Sequence, residues 1–286
     1  MSVDSLARHI MERLPNLAPQ LVIGARFLVD HPDAVLTSSM REIAAQIGVA
    51  PATLVRLARA LDFRDWSDLR NSFISQIRLT PPHYAERADS LVRRQGVEGL
   101  IQEVLRAQIQ GLDYCGTANP PEAISEAAKI LNRAPRLFLA AFMSCRAPAM
   151  VFTYICRLFR SNVQMLGGEG TSLAADLEDI RSDDAVLAIN FRPYAHDIHA
   201  VARAIKRCRP KLVCIADSRA TPLTPLANSV LLFGADSPSF FPSIMPAVAL
   251  VESLAAAMLS HAGEQAVTRV RTVEESLYKS GAYDVT

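Results

Sequence analysis

The sequence predicts an all-α domain over residues 1–79, followed by an α/β domain over residues 97–286 whose five-stranded parallel sheet is flanked by helices. The first segment carries apolar side chains at helical spacing throughout. From Val97 onward, short apolar runs alternate with amphipathic stretches, which is typical of a parallel sheet covered on both faces. Residues 80–96 contain Pro81, Pro82 and mixed charges, so we interpret them as a linker, with room for a helical turn.

Composition limits the classes of protein that this chain can represent. Its 286 residues suffice for two domains, and half of them are hydrophobic. The net charge is only +1, so a nucleic-acid surface would have to be local. Five cysteines without a CxxC pair argue against a zinc site or a disulfide framework and fit a reducing cytosol. The charged N-terminus is unlike a signal peptide, and the apolar run 244–259 is short for a membrane span, so we expect a cytoplasmic protein with no membrane partner.

Residues 38–61 predict two short helices joined by a tight turn. Ser39 followed by Glu42 forms the pattern of a capping box, which marks the start of the first helix. Gly48 can adopt the left-handed conformation that ends it, and Pro51 suits the first turn of the next helix. Three more helices complete the domain, over about 6–14, 17–29 and 66–77. The arrangement is that of a helix-turn-helix, whose second helix enters the major groove of DNA.

Polar residues of this motif are the candidate DNA contacts. Thr53 lies in the first turn of the second helix, and Arg56 and Arg59 share a face away from the apolar residues. Ser38 and Ser39 could donate hydroxyl and backbone N–H groups to a phosphate. The alternative is that both arginines belong to an ordinary solvated helix face. A single module of this size binds weakly, so we expect a dimer that reads a palindromic operator.

The α/β domain is predicted to begin with two helices, over 97–114 and 121–133. The predicted strands then span residues 136–140, 163–166, 185–190, 212–216 and 229–233. The predicted helices between and after them span residues 146–160, 171–181, 196–207, 241–261 and 264–279.

Several motifs in this order resemble the RpiR family of bacterial transcriptional regulators, which join a helix-turn-helix to a SIS (sugar isomerase) domain. They are MREIAAQIGVAPATLVRLARALDF, WSDLRNSF, LAINFRPYAHDI and LVCIADSRATPLTPLANSVLLF. The resemblance implies that a phosphorylated sugar or a related anionic metabolite binds the SIS domain, which also forms homodimers or homotetramers. The chain departs from the family pattern at Phe142 and Met143, where small residues are common, and at 190–195, where a serine pair is common. Ser144 is retained.

Candidate ligand residues follow the strands, because ligands of parallel sheets bind beyond the carboxyl ends of the strands. We therefore predict an effector site formed by Ser144, Gly168, Asn190, Arg192, Tyr194, Ser218 and Glu252. The arginine would favour an anion. The alternative is that these are turn and capping residues of any such fold. Glu252 is included because a carboxylate in an apolar helix is costly to bury without a partner, and because related isomerases use a glutamate as base.

These observations leave three functional hypotheses open. The first is a ligand-responsive transcription factor that needs no cofactor and is not an enzyme. The second is a sugar-phosphate isomerase with an accessory domain, although we find no convincing set of catalytic residues. The third is a regulator whose SIS domain only oligomerises. His196 and His199 have a spacing that permits metal binding, but no third ligand is evident, so we predict no metal.

Overall fold

The structure of the chain, a computed structural model, describes residues 9–30, 35, 38–78, 84–94, 96–219 and 221–283. The predicted start of the first helix near residue 6 lies outside these residues. The chain divides into two compact units, Met1–His83 and Tyr84–Thr286. Each unit has its own hydrophobic core.

The first unit is entirely helical within the described residues. A helical segment over 9–13 is followed by α1 (Pro19–Asp30), α2 (Met40–Gln46), α3 (Pro51–Ala60) and α4 (Trp66–Arg78). Its core contains Leu28, Ile43, Leu54, Leu57 and Leu69, all fully buried. Within α3, Leu54, Leu57 and Ala58 recur at helical spacing, so this helix turns one apolar stripe inward. The expected helix-turn-helix architecture is confirmed.

The second unit begins with three helices and continues as an α/β domain. The helices are α5 (Tyr84–Arg93), α6 (Leu100–Ala118) and α7 (Pro121–Arg133). The strands are β1 (Leu137–Ala141), β2 (Val163–Met165), β3 (Ala185–Asn190), β4 (Lys211–Ala216) and β5 (Ser229–Leu232). The remaining helices are α8 (Arg146–Phe159), α9 (Leu173–Asp179), α10 (Asp197–Cys208), α11 (Met245–Ala262) and α12 (Glu264–Lys279).

All five strands are parallel, in the order β2-β1-β3-β4-β5. Every residue of β1 and β3 is buried. One face of the sheet packs into a core with α7, α8 and α11, and the other into a core with α9 and α10. This two-sided burial explains why the strands read as continuous apolar runs. The predicted five-stranded parallel sheet is confirmed.

Helix α11 is the one helix in the described part of the chain that is long and apolar enough to cross a membrane. It packs against α6, α7 and α8. Leu250, Val251, Leu254 and Met258 on this helix are buried in the core of the second unit. Its apolar composition is therefore explained by its position inside the fold.

The segment that the sequence assigns to the linker contains a helix. Residues 84–93 form α5, which belongs to the second unit, and the division between units falls between His83 and Tyr84. No residue of α5 is buried, although Tyr84, Ala88 and Leu91 recur at helical spacing and could have marked this helix in the sequence. The next helix begins at Leu100 instead of residue 97, because Gly99 adopts a left-handed conformation (φ 77°) immediately before it.

Candidate functional site

The turn between α2 and α3 has the geometry that a helix-turn-helix requires. Gly48 has φ 68°, and the N–H of Val49 donates to the carbonyl of Ala44 at 2.9 Å, which ends α2. At the start of α2, the Ser39 N–H donates to the Glu42 carboxylate at 2.7 Å and the Glu42 N–H donates to the Ser39 hydroxyl at 3.3 Å. The predicted capping box is present. These hydrogen bonds from Ser39, first that of its backbone N–H, lower the pKa of Glu42.

Helix α3 buries one face and exposes the other. Leu54, Leu57 and Ala58 are buried, whereas Arg56 and Arg59 are exposed. Among the described residues, neither arginine forms an ion pair. Their charges are therefore available to an anionic partner such as a phosphate backbone.

The other three candidate DNA contacts lie at the starts of the two helices. Thr53 is half-buried in the first turn of α3 and follows the exposed residues Pro51 and Ala52 along the chain. Ser39 is exposed and Ser38 is half-buried, both before α2. The Ser39 oxygen accepts a hydrogen bond within its own capping box, but its hydroxyl hydrogen can still be donated to a phosphate.

In the second unit, a cavity of about 660 Å³ lies at the carboxyl ends of β1 and β3. The loops after these neighbouring strands form most of its wall, and their predicted residues Ser144, Asn190 and Tyr194 line it together. Phe142, Phe191 and Phe241 give it an aromatic wall, to which α5 adds Tyr84. The cavity therefore combines a few polar groups with apolar rings, as small-molecule sites commonly do.

Asn190 is the most distinctive polar group of this cavity. Its side chain is 3% exposed, yet neither its Nδ2 nor its Oδ1 has a hydrogen-bond partner among the described residues. A buried amide without partners is costly, so such groups in native proteins call for an explanation. A ligand that supplies one acceptor and one donor would satisfy both atoms.

Ser144 lies at the N-terminal end of a long helix. A short 3₁₀ turn, Met143–Cys145, leads directly into α8. The residue before the turn, Phe142, makes no side-chain capping bond, so backbone N–H groups of the first turn are available to a ligand. A helix N-terminus of this kind favours an anion.

Arg192 does not line the cavity, although its chain neighbours Phe191 and Pro193 do, and it is paired with Asp217. Its backbone N–H and its Nε donate to Asp217 Oδ2 at 3.3 and 3.4 Å. The second carboxylate oxygen of Asp217 is buried without a partner among the described residues. The Arg192 side chain remains 40% exposed, so its guanidinium can still contact an anion at the edge of the cavity.

The thiol of Cys145 lies in the cavity wall and remains protonated at neutral pH. Burial raises its pKa to about 12, and the nearby negative charge of Asp217 contributes to the increase. A neutral thiol of this kind is a weak nucleophile. Burial also raises the pKa of the Tyr84 hydroxyl, so this group enters the cavity as a neutral phenol.

The structure places three of the predicted effector residues away from this cavity. Gly168 borders a separate groove of about 680 Å³ along the edge strand β2, together with Arg136, Arg146 and Arg157. Ser218 is half-buried after β4 and does not line either space. Glu252 is exposed on α11, so its carboxylate is solvated and needs no buried partner.

Sequence reasoning missed two aromatic residues of the cavity, Tyr84 and Phe241. Tyr84 lies in the presumed linker, and Phe241 lies in the segment between β5 and α11. No spacing in the sequence connects them, because they meet only through tertiary packing. Within the described residues, no group of three or more His, Cys, Asp or Glu side chains is placed to hold a metal.

Comparison with known protein families identifies a domain in each of the two units. Residues 22–78 match the helix-turn-helix domain of the rpiR family, and residues 130–260 match the SIS domain. The chain belongs to the RpiR family. This RpiR-family protein is a transcriptional regulator with a helix-turn-helix and a SIS domain.

Individual relatives agree with this assignment. An HTH-type transcriptional regulator of Haemophilus influenzae is 22% identical over 239 residues, which cover 79% of this chain and 80% of the relative. The sugar isomerase domain of an RpiR transcription factor from Sphaerobacter thermophilus has a TM-score of 0.57 at 21% identity, covering 62% of this chain and 98% of that one. The Vibrio vulnificus NanR protein, solved in complex with ManNAc-6P, has a TM-score of 0.54 at 17% identity, covering 95% and 98%. At these identities the structural matches show a shared fold.

Proposed function

We propose that this regulator is a cytoplasmic protein that binds a palindromic DNA operator through α3 and is controlled by a small anionic metabolite held in the cavity beyond β1 and β3. Arg56 and Arg59 contact the DNA, with Thr53, Ser38 and Ser39 beside them. This role is supported by the exposure of the two arginines and by the lack of an ion pair to either of them within the described part of the chain. The binding helix is anchored by a buried apolar face, so it can enter the groove as a rigid element.

The effector is a phosphorylated sugar or a related anion. The uncapped start of α8 at Ser144 receives its anionic group, Arg192 adds a positive charge, and Asn190 pairs with its hydroxyl or amide groups. Tyr194 lines the same cavity. The complex of NanR with ManNAc-6P gives this ligand class a precedent in a protein of the same fold.

Homodimers or homotetramers are needed to read a palindrome, and α6 offers a surface for this purpose. Ile101, Leu105, Ile109 and Leu112 recur every three or four residues, so they share one helix face. They are 60%, 52%, 57% and 37% exposed, which leaves an apolar stripe on the surface of the unit. A second copy of the chain is the occupant that the twofold symmetry of an operator requires.

An isomerase activity has less support. The described residues that line the cavity include one imidazole, that of His196, but no carboxylate, and Glu252 is exposed on another part of the unit. A sugar-phosphate isomerase needs a base placed beside the reacting carbon. Incubation of the protein with aldose and ketose phosphates should therefore leave them unchanged, and interconversion above the level of a denatured control would favour the enzyme.

The proposed function is tested by selecting genomic DNA fragments on the full chain and then adding ligands. We expect an inverted repeat in the selected fragments. A thermal-shift screen with ManNAc-6P, ribose 5-phosphate, glucosamine 6-phosphate and inorganic phosphate should find a sugar phosphate that raises the melting temperature and changes the affinity for the selected fragment. A ligand that raises the melting temperature equally in wild type and in Asn190→Ala would place its site elsewhere. Failure to select any fragment would contradict the proposed role in DNA binding.

A further inference from the structure

Helix α5 is the first element of the effector unit along the chain and also forms part of the effector cavity. The first unit ends at His83, and the next residue, Tyr84, begins α5 in the second unit. Tyr84 lines the cavity beyond β1 and β3. A single residue therefore combines a position in the candidate ligand site with the covalent connection to the other unit.

A ring contact and a hydrogen bond attach α5 to the segment between β5 and α11. The Tyr84 ring stacks on Phe241 with their centroids 5.1 Å apart and their planes inclined by 30°. One helical turn further on, the Arg87 guanidinium donates a hydrogen bond to the carbonyl of Ser237. No residue of α5 is buried, so little apolar area fixes the helix in place. Helices attached in this way belong to the least stable parts of a fold and can undock without global unfolding.

The aromatic contacts continue from α5 to the unpaired amide. Phe241 meets the Phe191 ring edge to face, with centroids 6.5 Å apart and an interplanar angle of 86°. Phe191 directly follows Asn190, whose buried side chain lacks a partner among the described residues. A molecule in this cavity would therefore meet both aromatic rings and the side chain of Asn190.

We propose that Tyr84 is an effector-binding residue, and that a bound effector with a ring-shaped body stabilises the docked position of α5 and so conveys occupancy to the DNA-binding unit. The ring contacts Tyr84 and Phe241 through its apolar face and carries a hydroxyl or amide group that both donates to and accepts from Asn190. This inference rests on the proposed function, because it assigns a route between the two sites. A ligand can shift α5 only if it binds the docked state more tightly, and the contact with Tyr84 supplies that difference.

The first test measures DNA affinity without ligand, so it does not depend on the identity of the effector. Tyr84→Ala removes the ring, Tyr84→Phe keeps it, and Val92→Ala alters an 82% exposed side chain near the other end of α5. If docking of α5 sets the arrangement of the DNA-binding unit, Tyr84→Ala should change the affinity for the selected fragment by roughly three- to tenfold, as expected from one aromatic pair. Tyr84→Phe and Val92→Ala should stay within about twofold of wild type.

The second test uses hydrogen exchange on the full-length protein with the four probes named above. A probe that raises the melting temperature should slow exchange of the amides of residues 84–93 as well as those near Ser144 and Asn190. In Tyr84→Ala the same probe should still protect the Ser144 and Asn190 loops but lose its effect on DNA affinity.

The outcomes separate this inference from the proposed function. Protection confined to the two loops, together with wild-type DNA affinity and response in Tyr84→Ala, would overturn the role of α5 and leave the effector site intact. Wild-type protein that binds no DNA, or a sugar phosphate that protects neither loop, would instead overturn the proposed function. If none of the probes shifts the melting temperature, the ligand-free affinities of the Tyr84 variants decide the role of α5.

Discussion

Asn190→Leu should stabilise the second unit while it abolishes effector binding. The amide is 3% exposed and lacks a partner for both Nδ2 and Oδ1 among the described residues, so the fold carries the cost of removing it from water. A buried polar group without a partner costs about 1–3 kcal/mol. Leucine has no such penalty, and the adjoining cavity of about 660 Å³ can accept its extra volume.

The expected net gain in the free energy of unfolding is about 1 kcal/mol, which corresponds to a rise of roughly 2–4 °C in the melting temperature of a unit of this size. Trp66 is the only tryptophan and lies in the first unit, so its fluorescence follows that unit alone. Calorimetry of Asn190→Leu should therefore show a higher melting temperature for the second unit, while the melting temperature followed by Trp66 fluorescence stays unchanged. No sugar phosphate should raise the melting temperature of the second unit of this variant further.

Asn119→Leu is the matched control. Asn119 is also 3% exposed, but its Nδ2 donates to the carbonyls of Cys115 and Leu232 at 2.8 and 2.7 Å, and its Oδ1 accepts from the Leu232 N–H at 2.6 Å. Replacing it should destabilise the second unit by about 2–4 kcal/mol, because Leu232 is left with unpaired buried groups. If Asn190→Leu destabilises the protein as Asn119→Leu does, the Asn190 amide is satisfied in the native protein without an effector, and the reasoning is refuted.

Three further predictions concern the first unit and the assembly. Ser39→Ala should lower the stability of the first unit by about 1 kcal/mol in urea unfolding followed by Trp66 fluorescence. Because the folded pKa of Glu42 lies below its ordinary value of 4.5, the stabilisation from its carboxylate is present above that value and lost as the pH falls through the folded pKa, so the difference between wild type and Glu42→Gln should shrink in acid; a difference independent of pH would contradict the charged half of the capping box. Gly48→Ala should cost about 1 kcal/mol from backbone strain alone, since no atom lies within 4 Å of the added Cβ, and a neutral result would contradict the φ of 68°. Leu105→Glu should dissociate the oligomer in light scattering, whereas Gln110→Glu, at an exposed position on another face of α6, should not.

Local patterns predicted much of this architecture. The predicted strand 185–190 has the bounds of β3, and the capping box at Ser39 and the turn at Gly48 are both present. These features depend on neighbours within a few residues, so the sequence contains the information directly. The sequence also predicts that the polar loops after β1 and β3 lie close together, because parallel strands place their carboxyl ends on one edge of a sheet.

The rest of the cavity depends on contacts distant in sequence. Tyr84 and Phe241 are separated by most of the second unit, and no periodic pattern joins them. Glu252 is part of the predicted effector site because a carboxylate in an apolar helix needs a partner if it is buried, but in the structure α11 exposes this residue to solvent. Only the packing of α11 against its neighbours decides which face is exposed, and this packing is not encoded in the local spacing.

The central claim is that the exposed face of α3 binds DNA, and the salt dependence of DNA binding by Arg56→Ala and Arg59→Ala tests it most directly. Each removed phosphate contact should reduce the slope of log affinity against log salt by about 1 and weaken binding, with unchanged melting temperature and oligomeric state. Arg271→Ala removes the same charge from an exposed site on α12 and should leave both slope and affinity as in wild type. Equal slopes and affinities in wild type, Arg56→Ala and Arg59→Ala would show that the exposed face of α3 does not contact DNA, and would contradict the account.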